Sequence, residues 1–550
     1  MSKIEQISTA LRPLHLQSLY CSTYFGLNAL FHHWTRHCFP ADIAESAGRV
    51  DAAVLRVARS CLGDAVTADT YASSRLRLPA RMFGGGLRQA ADAAPAAFMS
   101  ALCQTLPRML PWTTDDGSVG SGFLPQLEPL LGRGSFDTGY EDTRFAVLLG
   151  SETRLAHALR STWDGLRAEL PTTPGVLRHA AEAAGKGCAN LQRELTGLRE
   201  TSRFHDLDVA IRSLSYDDVR RAAWISCDKF STTWVSVWPS VESRVSNLEF
   251  AEIAARYFGV PSPACAPLVG QPIGNTRAVL DAFGSRLTTA ALPGDGFRRQ
   301  HDAVKWRLDE DLREMGVRAR TEVYGLFAAV LPQNARDAIS QWPLRKRQGL
   351  VPDFAIALPV VGQSPSDAVD ELFELKTLHY GTTTYPDAVA NARGGAVNRR
   401  ADALPGQTAN KARQLDERHC GTPEGETGPV TRRLDAFGPV RGLVVGHWAE
   451  GSRHFEDLLS GAAYCGSLRH WAAMRAREAK DAYGTLAWTL RRRWGMTFWR
   501  SASRLLLDRL SYVGHGAVRA GERRADAAEA AAAAARRAAH WLFRRSRARV

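Results

Sequence analysis

Two carboxylates interrupt neighbouring apolar segments in the C-terminal half of the sequence. Asp353 lies in the segment Leu350–Leu358, and Glu374 lies in the segment Glu371–Leu378. A charged side chain inside an apolar strand is costly unless something compensates it. Two strands of a hairpin could hold both carboxylates on one face, where they would repel each other. A divalent cation removes that repulsion, and oxygen ligands favour Mg²⁺, or Mn²⁺ in its place.

A lysine accompanies the second carboxylate. Lys376 follows Glu374 by two residues, and the period of a strand places both side chains on the same face. An ammonium group at that position can orient a water molecule or stabilise charge on a phosphate. Together, these three side chains predict metal-assisted hydrolysis of a phosphodiester.

The segments around these residues predict an α/β fold with the element order α-β-β-β-α-β-α. Residues 298–315 have the apolar spacing of an amphipathic helix, which Gly316 ends. The remaining predicted elements are strands at 317–331, 350–358 and 371–378, a helix at 404–419 closed by Gly421, a strand at 440–448 and a helix at 454–478.

The pattern Pro352-Asp353 followed by Glu374-Leu375-Lys376 resembles the motif of the PD-(D/E)XK nuclease superfamily, which has the restriction-endonuclease-like fold. The predicted element order is similar to the α-β-β-β-α-β core of that family, with one more helix after it. The resemblance implies that Asp353 and Glu374 bind the metal, with help from the Leu375 carbonyl. It also implies that Lys376 positions the attacking water.

The same resemblance implies further site residues. The family often has another acid on its first helix or strand, for which Glu322 is the first choice and Glu310 the second. Residues of the helix after the third strand often contact the site or the substrate in this family. Gln407 and Lys411 are the candidates for that role.

A narrower similarity involves the string Arg299-Gln300-His301-Asp302, then Glu322, and a basic trio that leads into Pro352-Asp353. The trio consists of Arg345, Lys346 and Arg347. This pattern is similar to the restriction-like endonuclease domain of some non-LTR retrotransposon proteins, which nicks target DNA. The resemblance covers roughly 180 of the 550 residues, and neither a reverse transcriptase palm nor a zinc knuckle is evident.

Several of these residues also have structural interpretations. Asp353 could begin a turn, and Glu374 with Lys376 could form a solvated ion pair on an edge strand. The basic trio could contact phosphate or belong to an ordinary exposed loop. His301 falls on the apolar side of its predicted helix, which favours a core histidine over a catalytic base.

The positive charge of the chain is concentrated at its C-terminus. The chain has a formal net charge of +13, and residues 484–550 contain 15 Arg, no Lys and 4 acids, a net charge of +11. Arg491, Arg492 and Arg493 alternate there with aromatic residues, whose spacing favours a packed face. Residues 522–549 predict a basic helix that could follow a DNA backbone or act as a nuclear-import patch. Nucleic acid is therefore the expected partner.

Other features exclude several classes of protein. No apolar run is long enough for a transmembrane helix, and the nine cysteines form no C-x-x-C pair, which fits reduced intracellular thiols. The cluster His32, His33, His37 and Cys38 has no second ligand pair nearby, so zinc is not favoured. Tyr216-Asp217-Asp218 is expected to begin a helix rather than to form a polymerase site.

The sequence thus predicts a mostly helical region at 1–295, a nuclease-like domain at 296–480 and a basic helical tail at 481–550. The predicted function is that of a Mg²⁺-dependent DNA endonuclease, derived from a retroelement and located in the nucleus, without a small-molecule substrate. Two alternatives remain open. One is an inactive nucleic-acid-binding protein that keeps the fold, and the other is a helical interaction scaffold.

Overall fold

The computed structural model describes residues 15–109, 162, 191–322, 326–340, 351–362, 364–381, 383–386 and 392–514. The basic trio at 345–347 and the predicted tail helix at 522–549 lie outside these described residues. Within them, none of the helices combines the length and apolar character that crossing a bilayer requires.

The described chain is a mixed α/β structure in which helices surround one small sheet. The helices are α1 (Leu16–Phe25), α2 (His32–His37), α3 (Pro40–Leu62), α4 (Asp64–Ala68), α5 (Thr70–Arg77), α6 (Ala90–Met109), α7 (Leu191–Arg212), α8 (Val219–Ser226), α9 (Asn247–Phe258), α10 (Ser285–Thr289), α11 (Gly296–Met315), α12 (Gln333–Ser340), α13 (Gly395–His419), α14 (Pro429–Asp435), α15 (Arg453–His470) and α16 (Ala479–Arg509). The strands are β1 (Arg318–Thr321), β2 (Phe354–Ala357), β3 (Asp370–Thr377) and β4 (Arg441–Val445).

The four strands lie in the order β1-β2-β3-β4. β1 pairs antiparallel with β2, β2 pairs antiparallel with β3, and β3 pairs parallel with β4. Phe354 stands opposite Phe373 in the second pair, and Glu374 stands opposite Gly442 in the third. The connection from β3 to β4 includes α13, as a parallel crossover requires.

Alternation along the strands sends side chains to two helical layers. Phe354 and Phe373 belong to an apolar cluster with residues of α11 and α15. Ala355 and Leu372 belong to a second cluster with residues of α13 and α14. At Gly442 an added Cβ would lie only 2.6 Å from the Cα of Ala401, so glycine allows α13 to approach the sheet closely.

The apolar cluster around β2 and β3 crosses the predicted domain boundaries. It also contains Tyr20, Trp234 and Phe250 from the region before residue 295. Trp494 and Trp499 of α16 belong to the same cluster, and this helix packs along α11 and α15. Sheet, N-terminal helices and α16 therefore share one core.

Several predicted elements have different bounds in the structure. The predicted strand at 317–331 is wrong beyond Thr321, because Glu322 has a positive φ of 49° that leaves the strand conformation. Residues Ala328–Val330 form a 3-10 turn instead. The predicted helix at 404–419 begins earlier, at Gly395, and contains Pro405 in its interior. α12 and α14 lie between elements and were not predicted.

Two smaller expectations also have outcomes. The predicted helix start at Tyr216-Asp217-Asp218 is confirmed, since the Asp218 side chain accepts a 2.8 Å hydrogen bond from the Arg220 N–H at the first turn of α8. The predicted helix at 454–478 ends at His470.

Among the described residues, no group of His, Cys, Asp or Glu could hold a metal with three or more ligands.

A buried carboxylate joins α16 to α11. Asp311 is fully buried and accepts hydrogen bonds from Trp494 Nε1 at 2.9 Å and from Arg493 Nη1 at 3.0 Å. Arg307 Nε, on the same helix as Asp311, donates to it at 2.9 Å. If Asp311 were removed, each of these donors would lose its charged acceptor. This carboxylate is therefore central to the contact between the two helices.

We expect Asp311→Ala to lower the free energy of unfolding by about 3 kcal/mol, because Trp494 Nε1, Arg307 and Arg493 all lose their buried acceptor, although the two arginines keep exposed acids as partners. Urea denaturation followed by circular dichroism measures the change. The matched control is Asp508→Ala, which removes only an exposed ion pair with Arg299 and should cost about 1 kcal/mol or less. Equal losses in both variants would contradict this role.

A second buried carboxylate follows β4. Glu450 is fully buried, accepts from Tyr385 Oη at 2.7 Å and accepts from the Trp448 N–H at 2.9 Å. A Cβ at Gly446 would overlap this carboxyl group, so the loop closes tightly around it. Burial raises the pKa of Glu450 to about 8, although the hydrogen bond from Tyr385 lowers it, and the nearby carboxyl of Asp228 raises it further.

The raised pKa of Glu450 predicts that stability falls as pH rises from about 4.5 to about 8. The folded protein holds this proton up to about pH 8, whereas the unfolded chain releases it near pH 4.5. The free energy of unfolding should therefore fall as pH rises between these values, by up to about 1.4 kcal/mol per unit. Urea titrations at several pH values should show a weaker pH dependence for Glu450→Gln than for the wild type. The exposed Glu426→Gln should retain the wild-type dependence.

Candidate functional site

The pairing of β2 with β3 brings the two predicted carboxylates together. Phe354 stands opposite Phe373 in this antiparallel pair. Asp353, which immediately precedes β2, therefore stands opposite Glu374. Residues that face each other in this way have Cβ atoms about 4.5–5.5 Å apart. The two acids that the sequence singled out are therefore neighbours across two strands.

Asp353 is held by the backbone of β3 and by a side chain of α11. Its Oδ2 accepts a hydrogen bond from the Leu375 N–H at 2.8 Å and lies 3.5 Å from His301 Nε2. Burial alone would raise the pKa of Asp353, but the hydrogen bond and charge of His301 outweigh it and lower the pKa below its ordinary value. Asp353 is thus a fixed, ionised carboxylate.

Glu374 forms an ion pair with Lys376 on the same strand face. Burial raises the pKa of Glu374 above its ordinary value, even though Lys376 lowers it. The nearby carboxylate of Asp353 raises this pKa further. The pKa values of Asp353 and Glu374 are therefore shifted in opposite directions, as expected for two largely buried carboxylates that lie close together.

The oxygen atoms at this site fit a hard divalent cation. No hydrogen bond in the described part of the chain occupies Asp353 Oδ1 or Glu374 Oε2. The Leu375 N–H donates to Asp353. The N–H and C=O groups of one strand residue point to the same side, so the Leu375 carbonyl also points from β3 toward Asp353. Two carboxylates and one carbonyl leave other coordination positions to water or phosphate, which is the arrangement that Mg²⁺ favours.

The structure places Glu322 beside this pair but gives it a different partner. The Glu322 N–H donates to the Asp353 carbonyl at 2.9 Å. Its carboxylate accepts from Lys305 Nζ at 2.5 Å. The second choice, Glu310, is exposed and lies 3.4 Å from Arg307. Of the two predicted additional acids, Glu322 is therefore the one at the site.

Residues of α11 form a second charged layer that the sequence did not identify as such. His301 Nδ1 lies 3.2 Å from Asp302 Oδ1, and Lys305 Nζ lies 3.3 Å from the same oxygen. Burial would lower the pKa of His301, but Asp302 and Asp353 raise it to about 9. His301 therefore bridges two acids and is not an apolar core residue. The three- to four-residue spacing of these side chains was the available signal.

Of the predicted contacts on α13, Lys411 lies near enough to Glu374 to influence its pKa. Lys411 is exposed, and its charge reaches Glu374, whose pKa it lowers. Gln407 is exposed and lies one turn earlier on the same face of α13. Both side chains are accessible to solvent.

The three predicted arginine contacts on α16 have intramolecular partners. Arg491 donates to Glu456 at 2.6 Å, Arg493 donates to Glu314 at 2.6 Å, and Arg492 donates to Ser236 Oγ at 2.7 Å. Glu314 is thirteen residues from His301 on α11, which corresponds to about 20 Å along the helix axis. These arginines therefore lie well away from the carboxylate pair.

A cavity of about 500 Å³ lies elsewhere, among α5, α6 and α7. Two of the four arginines that line it face acids of the same cavity, with Arg88 at 2.9 Å from Glu200 and Arg203 at 2.6 Å from Asp92. Two of its acids are thus engaged by arginines.

Comparison with models of known protein families finds no match for this sequence, and a search of curated proteins finds none either. The geometry of the carboxylate pair and its lysine is therefore the basis for inferring what the protein does.

If Asp353 and Glu374 hold a divalent cation, that cation should stabilise the fold. At ten times its Kd, a ligand that binds only the folded state adds about 1.4 kcal/mol. Thermal melts with Mg²⁺ or Mn²⁺ should therefore shift upward by about 1–2 °C, and Asp353→Asn and Glu374→Gln should abolish the shift. Asp370→Asn, an acid at the other end of β3, is the matched control. An unchanged shift in Asp353→Asn would exclude this site.

Proposed function

We propose that this protein is a divalent-metal-dependent endonuclease of the PD-(D/E)XK type that hydrolyses phosphodiester bonds in DNA. The observation that carries the proposal is the position of Asp353 opposite Glu374, with Lys376 paired to Glu374 on the same face. Two opposed carboxylates and an ammonium group form a compact set that suits a metal ion and an anionic substrate.

The surrounding architecture supports this proposal. α11 precedes a meander of three antiparallel strands, and α13 then crosses over to β4, which runs parallel to β3. Apart from α12, which lies between β1 and β2, and α14, which lies between α13 and β4, this agrees with the α-β-β-β-α-β order that the motif resemblance implies. The candidate site lies at the beginning of β2 and within β3, where the family has its motif.

Each residue has a distinct role in the proposed reaction. Asp353, Glu374 and the Leu375 carbonyl would hold the cation, and Glu322 supports the backbone of Asp353 through its N–H. A bound cation supplies charge stabilisation for a phosphoryl oxygen and acidifies water. The Lys376 ammonium would orient the attacking water and stabilise negative charge on the phosphate. Leu375 and His301 keep Asp353 ionised and in place.

Conversion of supercoiled plasmid to nicked circles with Mg²⁺ tests the activity. We expect Asp353→Asn and Lys376→Met each to reduce the nicking rate by at least about 100-fold, because each removes a group that acts in the transition state. The wild type with EDTA should be equally inactive.

The controls separate the site from its surroundings. Asp370→Asn changes an acid of β3 that pairs with Arg320 outside the site, so it should nick at the wild-type rate. Equal nicking by wild type, Asp353→Asn and Lys376→Met would indicate a contaminating nuclease and refute the assignment.

A second candidate is an inactive nucleic-acid-binding protein with the same fold. Its support is that His301 and Lys376 already balance the charges of Asp353 and Glu374, and that no set of three or more metal-ligating side chains was found among the described residues. Stable DNA binding with no nicking under either Mg²⁺ or Mn²⁺ would favour this candidate. Retroelement origin and nuclear location stay predictions of the sequence.

A further inference from the structure

Three large aromatic side chains are exposed on a surface remote from the carboxylate pair. Phe25 is 45% exposed, Trp238 is 50% exposed and Trp488 is 53% exposed. They come from the end of α1, from the loop after residues 233–236 and from α16. Rings of this size normally contribute to a core or an interface, so their grouping on one surface points to a binding role.

Direct contacts connect these rings into one surface. Phe25 and Trp238 stack with centroids 5.7 Å apart and an angle of 16° between their planes. The guanidinium of Arg492 lies 3.4 Å from the ring centroid of Trp488. The same guanidinium donates to Ser236 Oγ at 2.7 Å, two residues before Trp238. We call Phe25, Trp238, Trp488 and Arg492 the aromatic platform.

The contacts leave ring faces available. One face of Trp488 is covered by Arg492, and the Phe25–Trp238 stack covers one face of each partner. The exposed half of each ring is then the surface that a flat ligand can stack on. Ordinary core packing would cover both faces, as it does for Trp494 and Trp499 on the same helix, which are completely buried.

The charge of the platform is positive. Arg491 and Arg493 are each bound to acids, whereas the structure gives Arg492 no acidic partner among the described residues. Arg244, on the loop that follows Trp238, is exposed. The neighbouring acid Glu242 is engaged by Arg493 at 3.3 Å. Cations beside open rings complement a ligand that carries both flat rings and negative charge.

We propose that the aromatic platform binds single-stranded nucleic acid, whose bases stack on Trp488 and Trp238 while Arg492 and Arg244 contact its phosphates. Base stacking on aromatic side chains and backbone contact by cations are the two components of sequence-tolerant single-strand binding. A duplex hides its base faces, so it can use only the cationic part of this surface.

This inference rests on the proposed function and extends it to the substrate. A nuclease that holds a single strand some distance from its carboxylates would favour DNA that is partly unpaired, such as a flap or a bubble. The platform borders the part of α16 that packs on the C-terminal half of α11, whereas His301 and Asp353 lie at the other end of that helix. One strand could therefore span both surfaces.

The test is fluorescence anisotropy with a fluorescein-labelled 20-nucleotide oligothymidylate, measured with the full chain in EDTA so that no cleavage occurs. Trp488→Ala and Trp238→Ala should each weaken binding by about fivefold or more, the effect of losing one stacked base. Trp488→Phe should restore most of the affinity, because it keeps a ring. Arg492→Met should also flatten the salt dependence by about one phosphate contact.

The matched control is Trp34→Ala, because Trp34 is 54% exposed on α2 and outside the platform. It should bind like the wild type, and an unlabelled duplex should compete worse than an unlabelled single strand. Equal affinities for Trp34→Ala, Trp238→Ala and Trp488→Ala would overturn the proposal. A second result would also overturn it. If light scattering shows that the platform variants convert a dimer to a monomer while their affinity for the strand is unchanged, the platform joins two copies of the chain instead.

Nicking and strand binding are measured separately, so their failures are distinguishable. If the platform variants bind the single strand like the wild type and the wild type nicks DNA, the platform proposal is overturned and the proposed hydrolysis is not. Strand binding through the platform without nicking under any metal supports the platform and overturns the proposed hydrolysis.

Discussion

The register between β2 and β3 is the constraint on which the candidate site depends. A slip of one residue would move every side chain of a strand to the opposite face of the sheet. Phe354 and Phe373 would then leave the core shared with α11, and Asp353 would no longer oppose Glu374. Apolar burial therefore fixes the register, and the register fixes the distance between the two acids. Beyond the last backbone pair of these strands, the Leu375 N–H donates to the side chain of Asp353.

The site and the core use buried charge in opposite ways. Around Asp353 and Glu374, the cations His301 and Lys376 balance two acids that are close enough to repel each other. At Asp311, three residues from two helices donate hydrogen bonds to one carboxylate, which joins the two helices. Repulsion between like charges gives the first group a reason to bind a cation, whereas Asp311 is already saturated.

α16 illustrates how one basic, aromatic segment serves two purposes. Its buried face inserts Trp494 and Trp499 into the core beside α11. Its outer surface presents Trp488 under Arg492, next to the stacked pair of Phe25 and Trp238. The prediction that the aromatic residues of this segment form a packed face is thus confirmed for Trp494 and Trp499 and wrong for Trp488. Helical spacing identifies a face, but only the neighbouring helices decide which part of that face is covered.

The sequence by itself determined the mixed α/β class, the order of α11, the four strands, α13 and α15, and the placement of acids on two successive strands, because apolar periodicity and strand alternation are local properties. It did not reveal α12 or α14. It could not determine where β1 ends, since a positive φ at Glu322 has no clear local signal. It also could not place His301 against Asp353 or assign partners to Arg491, Arg492 and Arg493. Those contacts join residues 35 to 256 positions apart, and only the packing of helices on the sheet decides them.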